Sequence, residues 1–72
     1  MSHIRDGGAR RILKAEMARK DLNYDGLVSA LGEIGIEETN GSLRNKFSRG
    51  SFPADFFLQC LAAMDVKTLH LD

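Results

Sequence analysis

The stretch SLRNKFSRGSFP, residues 42–53, places Arg44, Lys46 and Arg49 within six residues, with no acid among them. Guanidinium and ammonium groups at that density suit phosphate oxygens. Asn40, Ser42 and Asn45 beside them carry donors and acceptors of the kind that read base edges. The whole chain is neutral, with ten basic and ten acidic residues, so the positive charge is a local feature. Residues 25–43 hold Asp25, Glu33, Glu37 and Glu38 and no base, and the segments flanking them are net positive. A zero total argues against strong non-specific attraction to a polyanion and leaves local phosphate contacts open.

Other chemistries have little to work with. No serine stands in a nucleophile turn, and no glycine-rich strand-to-helix loop is there to cradle a phosphate. His3 and His70 lie near the two ends without a cysteine or carboxylate cluster at ligand spacing, so no metal or cofactor is expected. Neither is a small-molecule ligand or an enzyme activity. Glu37 and Glu38 fall in an expected turn, where their charge favours the start of the next helix and repels phosphate. The single cysteine, Cys60, excludes an internal disulfide, fits a reducing cytoplasm, and in its apolar stretch reads as a buried small hydrophobe. No apolar run reaches the length of a membrane span and no charged-then-apolar leader opens the chain, so a cytoplasmic protein without a membrane partner is expected.

These residues need a scaffold, and the 72 residues suffice for one domain. Residues 1–8 read as a flexible N-terminal arm or a remnant of cloning, and residues 9–72 as a single all-α domain of four to five helices. Ile12, Leu13 and Met17 recur at helical spacing, with Arg10, Arg11 and Lys14 on the wet side. Asn23 is a good N-cap for a second helix with Asp25 in its first turn. That helix turns Leu27, Val28, Leu31 and Ile34 inward and ends loosely at Gly32 and Gly35. Thr39 caps a third helix, in which Leu43 and Phe47 lie four apart on one face and Gly50 stops the chain. Pro53 opens a fourth, PADFFLQCLAAMD, which is apolar nearly all round, and the tail VKTLHLD forms a last turn or short strand.

In this order and punctuation, the pieces YDGLVSALG, TNGSLRNKFSRG, SFP and LQCLAAMDVKTL resemble the lambda-repressor-like helix-turn-helix family, the Cro-like bacterial and phage regulators. Within that group the chain resembles a small uncharacterised bacterial domain family. The turn from Gly32 to Glu38 is longer than the family's. The resemblance implies sequence-specific binding of duplex DNA as a small bacterial or phage transcriptional regulator, with the third helix, about 39–49, in the major groove. The residues it implies are Thr39, Asn40, Ser42, Arg44, Asn45, Lys46 and Arg49. Of these, Asn40, Ser42, Arg44 and Asn45 would face bases, while Lys46 and Arg49, with help from Arg10, Arg11 and Lys14, would hold the backbone.

Phe56 and Phe57 project about 100° apart on a helix, so one core face does not easily take both together with Leu58 and Leu61. Phe52, Phe56 and Phe57 are expected first as core, and what that face does not take is expected at a homodimer seam on the fourth helix, with Phe56, Phe57, Cys60 and Met64 as the candidates. The competing expectation is a protein-interaction or dimerisation module that uses the apolar helix 53–64 and binds no DNA.

Overall fold

The computed structural model describes residues 8–67. They form four α-helices and, among the described residues, no strand: α1 (Gly8–Arg19), α2 (Tyr24–Glu33), α3 (Asn40–Arg49) and α4 (Ala54–Ala63). Gly8 thus opens α1 rather than closing an arm. The expected arm to residue 7, His3, His70 and the expected fifth element beyond Lys67 lie outside the described residues. No helix of the described residues is long and apolar enough to cross a membrane.

Short helices this polar need their ends closed and one face buried, because isolated helices under about 12–15 residues are marginal in water. Asn23 accepts a hydrogen bond from the Gly26 amide to start α2, and Thr39 accepts one from the Ser42 amide to start α3. All four C-termini close through a left-handed residue: Asp21, Gly35, Gly50 and Asp65. After α1, α2 and α4 the chain forms Schellman turns, in which the amides of Leu22, Ile36 and Val66 return to the carbonyls of Met17, Leu31 and Leu61. Each of those three apolar residues also packs against the core, the hydrophobic contact that accompanies this motif. The end of α2, expected to be loose, is therefore a closed turn with Gly35 at φ 86°.

Leu13 and Met17 of α1, Leu27 and Leu31 of α2, Leu43 and Phe47 of α3, and Phe56, Cys60, Leu61 and Met64 form the core. α2 packs on both α3 and α4, and α1 packs on α4. An aromatic chain crosses it: the Tyr24 and Phe47 rings meet edge-on at 5.2 Å, Phe47 and Phe52 likewise at 5.2 Å, and Phe52 stacks on Phe56 at 5.6 Å. Such pairs add about 0.5–1.5 kcal/mol beyond area burial. Glu16 is the buried charged residue among those described. Arg19, one turn on, donates to both its carboxylate oxygens at 3.2 and 2.9 Å, so the helix supplies its own counter-charge.

Gly50 and Asp21 give opposite tests of these turns. A Cβ at Gly50 would lie 3.3 Å from the Arg10 guanidinium, at a φ of 78°. Gly50→Ala should therefore lower stability by about 1–2 kcal/mol. Asp21 holds a φ of 57° without being glycine, and Asp21→Gly should raise stability by a few tenths to about 1 kcal/mol. Urea unfolding followed by circular dichroism reads both, and equal effects of one sign would refute the assignment.

Candidate functional site

α3 is held from three directions. Leu43 is fully buried and Phe47 is 2% exposed, which fixes the inner face. The Thr39 hydroxyl caps the start. At the far end Arg10 of α1 donates from Nη1 to the Phe47 carbonyl at 3.1 Å, with a longer contact to the Ser48 carbonyl, and so satisfies carbonyls the helix leaves open. With the inner face committed, the 100° step of the helix turns Gly41, Arg44, Asn45, Ser48 and Arg49 outward. All five are exposed.

The seven residues expected from the sequence divide between two flanks. Thr39 is committed to the cap. Asn40 donates from Nδ2 to Asp25 at 2.7 Å and accepts a long contact from Arg44 at 3.4 Å. Ser42 donates its hydroxyl to the Glu38 carboxylate at 2.9 Å, and Lys46 reaches the same oxygen at 2.8 Å. The Lys46 ammonium also lies over the Phe56 ring, 4.7 Å from its centroid. Ser42 and Lys46 are thereby drawn into the protein's own structure, a correction to their expected place among outward contacts. The physical reason is Glu38, whose side chain is turned inward with 7% exposure and requires positive and hydrogen-bonding partners there. Arg44, Asn45 and Arg49 remain on the open face, and neither guanidinium has a carboxylate partner among the described residues.

Two residues of that face are not among the seven contacts expected from the sequence, although Ser48 shares the wet side of the helix with Arg44, Asn45 and Arg49. Gly41 and Ser48 stand four before and three after Asn45, and helical spacing alone was enough to find them. The expected repulsion of phosphate is left to Glu37, which stays exposed, since Glu38 is paired with Lys46. Of the first-helix cations, Arg10 holds the end of α3, Lys14 lies 5.8 Å from the Tyr24 ring centroid, and Arg11 is exposed.

The dimer candidates divide between the core and its margin. Phe56, Cys60 and Met64 are 6%, 0% and 4% exposed, so the chain's own core takes them. Phe57 is half-buried and packs at the core's margin. Leu58, at 60% exposure, is the large apolar residue that α4 presents. The crowding expected around Phe56 and Phe57 is relieved by turning Leu58 out.

Four short helices around one aliphatic and aromatic core, with a cationic and amide-bearing face on the third, define a small all-helical domain. The chain belongs to the family described as Domain of unknown function (DUF6471), whose model matches residues 6–69. No curated protein and no solved structure is significantly similar to it.

Burial pushes the Cys60 thiol up to about 12, with the Glu38 carboxylate adding to the rise and Lys46 opposing it. A thiol held neutral in the folded state and free to ionise in the unfolded chain contributes stability that is complete below pH 9 and is lost as pH rises towards 12. Cys60 should accordingly resist a disulfide reagent at pH 8 in the folded protein and react at the rate set by unfolding. Release of thiol that does not accelerate across the urea transition would contradict this burial.

Proposed function

We propose that this protein binds duplex DNA sequence-specifically, as a small transcriptional regulator, with α2 and α3 as a lambda-repressor-like helix-turn-helix and α3 in the major groove. The observation that carries the reading is the exposed face of α3. Arg44, Asn45, Ser48 and Arg49 share it free of carboxylates among the described residues, while Leu43 and Phe47 anchor the helix from behind. A groove-reading helix needs this division, because hydrogen-bonding side chains reach base edges only if the backbone behind them is fixed. Gly41 adds to it: a Cβ there would meet nothing within 4 Å. A bare backbone at the start of the helix, where its amides face outward, lets a phosphate come close. The connection at residues 34–39 is longer than such motifs use. Its length goes into the closed turn at Gly35 and the cap at Thr39, which keep it ordered.

In this reading Arg44 and Asn45 face bases and Arg49 faces the backbone. Arg44→Ala should weaken a selected duplex by about 1–3 kcal/mol and relax preference at one position. Arg49→Ala should weaken all duplexes alike and reduce the salt slope by about 1. Lys46→Ala should leave that slope unchanged, because Glu38 already neutralises the ammonium. Fluorescence anisotropy across a salt series measures all three. Failure of the parent protein to retain any duplex from a random pool at low salt would end the proposal.

A homodimer on two half-sites belongs to the same proposal, and the exposure of Leu58 supports a seam on the outer side of α4 rather than on the buried Phe56, Cys60 and Met64. Leu58→Glu should then convert a dimer to a folded monomer at micromolar concentration. Sedimentation equilibrium that finds the parent chain already monomeric would remove the dimer and leave the DNA reading in place.

A further inference from the structure

A cleft of about 310 Å³ opens where α1, α2 and α3 meet, lined by Arg10, Lys14, Tyr24, Arg44, Phe47 and Ser48. It borders the outward face of α3 through Arg44 and Ser48, and no acid among the described residues lines it. We propose that this cleft is a phosphate-binding site. Three cations from two helices share a space of that size in a chain with no net charge, and like charges gathered this closely are unfavourable unless an anion joins them. Among the described residues none of the three has a carboxylate partner. Only Nη1 of Arg10 has hydrogen-bond partners among the described residues, the carbonyls of Phe47 and Ser48, which leaves Nη2 and Nε without one. Lys14 has the Tyr24 ring and no carboxylate. Arg44 has a single 3.4 Å contact to a neutral amide.

The placement also removes the local objection to an anion. The C-terminal carbonyls of α3 would repel it, but Arg10 lies against them and offers its remaining edge. Guanidinium forks match phosphate oxygens in pairs, whereas an ammonium acts as a point charge. Two forks and one ammonium, with Tyr24 and Ser48 also lining the space, supply donors for a tetrahedral oxyanion with several oxygens. The bound group is either a phosphodiester of a nucleic-acid backbone, which rests on the function proposed above, or the phosphate of a small free ligand, which does not.

The test is a titration of the isotope-labelled chain by NMR with inorganic phosphate and pyrophosphate, and separately with duplex DNA. Phosphate should shift the amides of Tyr24, Phe47 and Ser48. Lys14→Gln and Arg44→Gln should each raise its dissociation constant roughly tenfold. Lys20→Gln, an exposed cation just past the end of α1 and outside the cleft, should leave it unchanged. Absence of any shift at those amides with either anion, or equal binding by the Lys14→Gln chain, overturns the site, whatever the duplex does. If phosphate binds and the duplex displaces it, the ligand is the nucleic-acid backbone. If phosphate binds and the duplex leaves the cleft untouched, the ligand is a free phosphorylated molecule. In that case the fate of the α3 face is decided by its own variants.

Discussion

Phe47 has to be buried for α3 to stand where it does. The helix NGSLRNKFSR contains two large apolar residues in ten, and nothing in its remaining composition would keep it helical or hold it against the domain. Burying Leu43 and Phe47 contributes roughly 1.5–3 kcal/mol each. The edge contacts of Phe47 with Tyr24 and Phe52 tie that burial to α2 and to the chain entering α4. The Arg10 donation to the Phe47 carbonyl ties it to α1. α1, α2 and the chain entering α4 therefore meet the same residue, and the outward direction of Arg44, Asn45, Ser48 and Arg49 is the consequence.

Glu38 decides how positive that outward face is. A carboxylate placed immediately before a helix could face solvent and weaken the field of the cations beyond it. Here it is turned in and satisfied by Ser42 and Lys46, and the ammonium is further accommodated over the Phe56 ring. One cation is withdrawn from the surface and one anion goes with it. The exposed charge of α3 then rests on two guanidiniums, which is a smaller but cleaner positive surface than the trio of Arg44, Lys46 and Arg49 suggested.

The elements were legible because their signals are local. Asn23 and Thr39 cap the helices they precede, Gly50 ends α3, and Leu43 and Phe47 at four-residue spacing have one inner face to share. The tight closure after α2 was legible only in part. Gly35 marks a left-handed residue, but whether the turn is loose or closed depends on Ile36 finding Leu31 and the core. The burial of Cys60 was legible from its apolar stretch, whereas the fate of Ser42, Lys46 and Met64 was not. Each depends on a residue elsewhere, Glu38 for the first two and the converging faces of α1 and α2 for Met64.

The sequence by itself determined the four helices of the described residues, their boundaries to within a residue or two, and which face of the third had to be buried, because caps, spacing and backbone freedom act over four residues or fewer. The tertiary structure decided which charges stay free. It sent Lys46 to Glu38, sent Arg10 to the end of α3, turned Leu58 outward in place of Phe56, and gathered Arg10, Lys14 and Arg44 into one cleft. Charge pairing and burial depend on distances between helices, and those distances exist only once the core has formed.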